Sequence, residues 1–326
     1  MGTELEFRSV RVSLFRRNLF HGSALSVFAA DNVGLNKSLF GLFSTQDSAS
    51  WASMTMSRIT EVFNRASGES RMAFMPFITA GDPSLEGTAA VLLALRDAHV
   101  DLIELGFPYS DPIADGPVIQ ASYTRALDKG ITVDGIFRTM ESLKTQGLPP
   151  VLAMVSFAII FRHGSAAFVA DAAKAGFSGL IIPDLPADEA DDVSALAKAH
   201  GLDLVQLIAP TTTERRTKQI LAASTGFLYC ISVAGTTGAR QELPRELIDQ
   251  LRSLRSQSKL PLAVGFGIGS PDQVPSLEGV ADGVIVGSAI VRKIAEASDV
   301  ASAATAVLQF AQQMQAAVSK TKPSSR

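Results

Sequence analysis

The sequence predicts an α/β protein of the closed (β/α)8 class, a TIM barrel with an extra N-terminal helix and a closing C-terminal helix. Three observations carry this. From Met56 onward, eight short apolar runs alternate with amphipathic segments, and such alternation argues for parallel strands, whose neighbours need a crossover. The eight repeats fill roughly 250 residues, the usual size of a (β/α)8 barrel. Glycines cluster after the sixth, seventh and eighth runs, whereas an open doubly wound sheet carries its glycine fingerprint after the first. That open sheet is the structural alternative.

Element by element, Ser57 caps a short helix in which Ile59, Val62 and Phe63 share one face. The first strand is Ala73–Ile78, stopped by Gly81-Asp82-Pro83, and its helix is Ser84–Ala98. The second is Leu102–Leu105, followed by a long loop and a helix near Val133–Thr145. The third, Val151–Val155, precedes a helix around Ser165–Ala175. The fourth, Gly179–Ile182, runs into Pro183-Asp184-Leu185-Pro186 and a helix at Ala187–His200. The fifth is Leu204–Ile208 with a helix Thr213–Ala223, and the sixth is Phe227–Ser232 with a helix near Pro244–Ser256. The seventh, Leu262–Val264, enters Gly265-Phe266-Gly267-Ile268-Gly269 and a short helix after Pro271. The eighth, Gly283–Val286, leads through Gly287-Ser288 to a helix Ala289–Ala297, and Val300–Val318 forms the last helix.

Three segments follow: an extension 1–53, a barrel 54–318 and a polar tail 319–326. The extension is rich in Ser, Phe and Asn and has little periodicity. Arg8, Arg11, Arg16, Arg17 and Lys37 fit a removable transit peptide; Glu4, Glu6, Asp31 and Asp47 oppose one. A disordered extension, or translated upstream sequence with the true start at Met54 or Met56, fits better. The expected compartment is the cytoplasm, with a plastid as the alternative if a transit peptide is present.

Composition narrows the chemistry. Hydrophobic residues make up 47% and charged residues 19% of 326, enough for a large core. A net charge of -3 and a pI near 5.9 leave no electrostatic footprint for nucleic acid or an anionic membrane. One cysteine, Cys230, excludes a disulfide framework, and His21, His99, His163 and His200 show no metal-ligand spacing. No apolar run reaches the ~18–20 residues of a membrane span. Lysine is absent from every predicted strand interior, against Schiff-base chemistry, and no Ser–His or Cys–His pair is apparent.

What remains is carboxylates at a barrel mouth. Glu104 stands in an apolar strand between Ile103 and Leu105, so it has either a salt-bridge partner or a useful raised pKa. Asp115 follows in the next loop, and Asp184 ends strand four. Opposite them, Ala234-Gly235-Thr236-Thr237-Gly238, Gly265-Phe266-Gly267 and Gly287-Ser288 lie on late loops, where barrels grip phosphate with backbone N–H groups and a helix N-terminus. The expectation is general acid–base chemistry on a small phosphorylated substrate.

The motifs Phe77-Ile78-Thr79-Ala80-Gly81-Asp82-Pro83, Glu104-Leu105-Gly106-Phe107-Pro108-Tyr109-Ser110-Asp111-Pro112-Ile113-Ala114-Asp115-Gly116-Pro117, Pro183-Asp184-Leu185-Pro186 and Gly265-Phe266-Gly267-Ile268 closely resemble the tryptophan synthase alpha chain family, over about Met56 to Ala317. The resemblance implies a lyase that splits indole-3-glycerol phosphate into indole and glyceraldehyde 3-phosphate. Glu104 falls on the acid–base glutamate and Asp115 on the aspartate at the indole nitrogen. Gly238, Gly267, Gly287 and Ser288 would hold phosphate. Phe77, Tyr229 and Phe266 would line the indole pocket, with plain core packing as the alternative, and Thr237 would contact Asp115 on loop closure. No metal or cofactor is implied for this chain; pyridoxal phosphate belongs to a partner beta chain in an alpha2-beta2 heterotetramer.

The chain departs from the family pattern after strand three, where Ser156-Phe157-Ala158-Ile159 replaces a Tyr/Asn segment, and at Val233, where some relatives carry Arg. Other readings are a free-standing lyase, a phosphate-binding barrel that only regulates a partner, and another phosphate-binding barrel of the same pathway.

Overall fold

The computed structural model describes residues 56–112, 115–231, 245–265 and 267–324. Eight parallel strands close in chain order: β1 (Ala73–Thr79), β2 (Ile103–Gly106), β3 (Val151–Met154), β4 (Gly179–Ile181), β5 (Asp203–Ile208), β6 (Leu228–Ile231), β7 (Leu262–Gly265) and β8 (Gly283–Val286). Closure is made by β8 pairing on β1, Ala73 with Gly283 through Pro76 with Val286. The barrel, not the open sheet, is the fold.

Around the strands lie α1 (Arg58–Gly68), α2 (Leu85–Asp97), α3 (Pro117–Asp128), α4 (Val133–Leu143), α5 (Phe157–His163), α6 (Ser165–Ala175), α7 (Asp191–Ala199), α8 (Glu214–Ala223), α9 (Arg245–Gln257), α10 (Ser288–Glu296) and α11 (Val300–Val318). Among the described residues no helix is long and apolar enough to cross a membrane.

Strand alternation builds two cores. Outward residues such as Phe74, Ile103, Val151 and Val284 pack under the helices. Inward ones, including Met75, Leu102, Leu152, Ile181, Val205, Phe227 and Ile285, fill the barrel together with Ile59, Val62, Phe63 and Ala66 of α1. Ser57 accepts from the Thr60 N–H and starts that helix. Its apolar face plugs the N-terminal end of the barrel: a Cβ at Gly179 or Gly283, where β4 and β8 begin, would lie 3.0 Å from Ile59 or 3.1 Å from Phe63. The opposite end is left for the loops.

Ion pairs pin strand entries and exits. At the N-terminal end, buried Asp101 receives Arg71 on both oxygens at 2.8 Å and the Phe74 N–H at 3.0 Å. Asp282 there takes Arg255 and the Leu262 N–H. At the C-terminal end, Arg125 of α3 grips buried Asp82 at 2.9 and 2.6 Å.

The structure departs from the sequence expectation in several places. The long loop after β2 contains α3, whose Pro117 follows a Gly116 cap and whose Ile119, Ser122, Tyr123 and Ala126 are buried at helical spacing. Residues 157–163 form α5, and the helix expected at Ala187–His200 divides into a 3₁₀ turn, Ala187–Glu189, and α7. After Pro271 the segment is 3₁₀ through Leu277, with Pro275 inside it unable to donate. The polar tail is docked as far as 324: Thr321 O accepts from Met72 N, and Ser324 N donates to Ala281 O.

Candidate active site

Glu104 occupies the inward row of β2, in register with Phe77 of β1 and Leu152 of β3. It is fully buried, and among the described residues neither carboxyl oxygen has a hydrogen-bond partner. Burial alone pushes its carboxyl well above the ordinary carboxylate range. Of the two possibilities left open by the sequence, a paired Glu and a raised one, the structure selects the raised one. An unpaired buried carboxylate costs several kcal/mol, so holding a proton is the cheaper state.

Above Glu104 two inward positions are glycine, which leaves room for aromatic rings from the neighbouring strands. A Cβ at Gly106 would sit 2.5 Å from the Phe77 ring, and one at Gly265 would sit 2.5 Å from the Tyr229 ring. Both rings therefore enter the barrel in the space a side chain would take. Phe77 and Tyr229 are 5% and 4% exposed, each walling the chamber rather than filling an outer core. The Tyr229 hydroxyl is held well above its usual pKa by burial first, then by Glu104, Asp115 and Tyr123. These four groups face one space.

Asp115 stands just before α3, half-buried. Its N–H donates to Pro112 O at 3.1 Å, and the Gln120 amide reaches back to Asp115 O at 2.8 Å and Pro112 O at 3.1 Å. The first turn of α3 thus straps the loop that carries the carboxylate. Burial lifts the Asp115 carboxyl to about 6. Nearby Tyr109 is pushed to about 12 by burial, then by Asp115, Asp184 and Asp111.

Across the mouth, Gly287 precedes α10 with no side-chain cap, and Ser288 is its exposed first residue. The leading N–H groups of that helix are open to an anion. Gly267 is exposed at φ +92, a conformation that favours glycine, with free space where a Cβ would be. Thr237, Gly238 and Phe266 lie outside the described residues.

The third carboxylate, Asp184, has a different occupation. It accepts from Ser156 Oγ at 2.6 Å and from the Phe157 N–H at 2.7 Å, so it anchors the start of α5. This tether holds the unusual segment after β3 in place. Among the described residues no group of three or more His, Cys, Asp or Glu could hold a metal ion.

Sequence reasoning missed Gly106 and Gly265 as space-makers and Tyr123 as a wall of the chamber. The tyrosine was detectable: it lies four residues after Ile119, a signal that is lost when the segment is read as loop.

Four likenesses to known proteins bear on this chain. The pattern of the tryptophan synthase alpha chain family matches residues 63–319. The tryptophan synthase alpha chain of Rhodopirellula baltica is 48% identical over 255 residues, 77% of this chain and 91% of that one. The tryptophan synthase alpha chain of Prochlorococcus marinus is 45% identical over 247 residues, 76% and 90% of the two chains. The crystal structure of tryptophan synthase subunit alpha from Legionella pneumophila superposes with a TM-score of 0.75 at 36% identity, covering 81% of this chain and 99% of that one.

Proposed function

This chain belongs to the tryptophan synthase alpha chain family, and from that premise we propose that Glu104 and Asp115 perform its lyase reaction. The family's reaction is the retro-aldol cleavage of indole-3-glycerol phosphate to indole and glyceraldehyde 3-phosphate, a step of tryptophan biosynthesis. The observation that carries the assignment is the buried Glu104 carboxyl, which has no hydrogen-bond partner among the described residues.

The chemistry follows from those two environments. Glu104 enters the cycle protonated and gives its proton to ring carbon C3. Positive charge then develops at the indole nitrogen, where the ionised Asp115 stabilises it. The Glu104 carboxylate next takes the proton of the hydroxyl on the carbon attached to the ring. As the C–C bond breaks, that carbon becomes the aldehyde and the electron pair returns to the ring as neutral indole. Glu104 ends protonated, ready for another turn.

Backbone groups at Gly238, Gly267, Gly287 and Ser288 hold the phosphate, and Phe77, Tyr229 and Phe266 enclose the ring. Thr237 meets Asp115 when the loop after β6 closes. The partner is a beta chain in an alpha2-beta2 assembly, which receives the indole and carries the pyridoxal phosphate; this chain works without a cofactor of its own, in the cytoplasm. The ordered α5 segment, anchored by Asp184, supports a fixed surface at the barrel mouth.

The deciding assay is indole release from indole-3-glycerol phosphate by the purified chain, with and without its beta chain. A slow rate greatly raised by the partner is expected. A fast rate indifferent to the partner would instead mark a free-standing lyase, and bound substrate without cleavage a regulatory barrel.

The pH profile tests the pair separately. Because Asp115 acts ionised and titrates at about 6, kcat/KM falls as pH drops through that value. Asp115→Asn removes this limb and lowers turnover by about tenfold or more, the loss of one oriented charge at the transition state. A parent profile flat from pH 7 to 5 would overturn the role given to Asp115.

A further inference from the structure

Helix α3 brings to the chamber a tyrosine to which the reaction as described gives no task. Tyr123 is buried and packs with Phe77, Ile119 and Val291, its ring centroid 5.7 Å from that of Tyr109. The turn around it is fixed on both sides. Ser122 Oγ lies 2.6 Å from Thr79 Oγ1 at the end of β1, and Arg125 grips Asp82. The hydroxyl is directed over Gly106: a Cβ there would be 3.0 Å from Tyr123 Oη. Gly106 stands two residues beyond Glu104 on the same inward row, so the phenol enters the chamber beside the buried acid.

A phenylalanine would fill the same apolar niche. A hydroxyl there adds a desolvation penalty unless it makes a hydrogen bond. Burial, then Asp115, Tyr109 and Glu104, hold Tyr123 far above its usual pKa, so the group stays neutral and keeps a proton to donate. The titratable groups around Tyr123 are Asp115 and Tyr109 in the loop before α3, Glu104 on β2 and Tyr229 on β6, while Asp184 and Asp111 act on Tyr109. Among the groups acting on Tyr123, Asp115 is the one that the reaction needs ionised, and so the one that gains from a donated hydrogen bond.

We propose that Tyr123 is a positioning residue whose hydroxyl donates a hydrogen bond to the Asp115 carboxylate and holds it toward the ring nitrogen of the substrate. The proposal rests on the assignment of Asp115 made above. A charge-assisted hydrogen bond of this kind favours the ionised carboxylate. Tyr109 is a weaker candidate for the task, because it belongs to the loop and is partly exposed.

The test is Tyr123→Phe in the full chain, assayed with its beta chain. The expected result is a kcat about tenfold lower with KM changed less than about twofold, the signature of an interaction made in the transition state. The acid limb of kcat/KM moves up by about one pH unit, because loss of the donor favours the protonated carboxyl. Tyr109→Phe leaves that limb in place. Introducing 3-fluorotyrosine at position 123, a stronger donor of nearly the same shape, moves the limb down and covers the case in which the Phe variant folds poorly. A limb that stays put in both variants overturns the proposal, even if kcat falls, since packing loss alone does not move it. Asp115→Asn in the same assay separates the two claims. If the limb persists there, the Asp115 assignment fails and the Tyr123 role with it. If it vanishes there yet does not move in Tyr123→Phe, only the Tyr123 role fails.

Discussion

Glu104→Gln lowers turnover by about 10² or more, the usual scale of a lost general acid, and at the same time stabilises the barrel above neutral pH. The amide keeps the volume and cannot deliver or retrieve the proton, so folding and phosphate binding persist while cleavage stops. The stability gain follows from the environment of the acid. Folded Glu104 holds its proton far above the ordinary carboxylate range, with burial as the cause. Between the unfolded and folded pKa values the native state therefore binds one proton more than the unfolded state. Stability falls as pH rises through that window, and the loss is absent below the unfolded value. Glutamine has no proton to lose. Melting temperatures of parent and variant should thus coincide near pH 4 and diverge, with the variant higher, as pH rises toward 8. Retained turnover would move the acid–base role to another group. Coincident melting at pH 8 would mean that Glu104 has a stabilising partner. This trade is expected where a costly group is kept for chemistry.

Arg71→Ala costs about 3 kcal/mol of stability, because it leaves the Asp101 carboxylate buried with much of its compensation gone. Asp101 is only 1% exposed, and Arg71, itself 11% exposed, contacts both its oxygens. What remains is the Phe74 N–H, the Gln315 amide at 3.5 Å and the exposed Arg65 at 3.5 Å. For a domain of this size the loss corresponds to a melting temperature lower by roughly 6–12 °C. Replacing both partners, as Arg71→Met with Asp101→Leu, recovers most of it, since a buried pair exchanged for apolar groups is often near neutral. A single-variant loss under about 1 kcal/mol would show Arg65 taking over the pairing. The catalytic mouth is at the other end of the barrel, so kcat is expected to survive at temperatures where the variant is folded.

Much of the barrel was legible in the sequence because a strand buried on both faces is written as a short apolar run. Val151–Met154 and Gly283–Val286 are such runs, and the following helices announce themselves by caps such as Ser84 and Asp299. The helix that carries Tyr123 was not read, because its polar residues Gln120, Thr124, Arg125, Asp128 and Lys129 follow a proline-rich loop and mask the spacing of its buried face. Asp184 shows the reverse error. A carboxylate at a strand end looks like a site residue, and only its two short hydrogen bonds to Ser156 and Phe157 reveal an anchor.

By itself the sequence determined the class of fold and the order of the eight units, since each is a local pattern of polarity and chain-breaking residues, and it singled out Glu104 and Asp115 for the reaction proposed above. Tertiary structure alone decided that Glu104 has no hydrogen-bond partner among the described residues, that Phe77 and Tyr229 take the room which Gly106 and Gly265 leave, and that the Tyr123 hydroxyl lies over Gly106. The reason is physical. Propensity and periodicity act between residues a few positions apart, whereas desolvation and steric room depend on every strand that closes around a point.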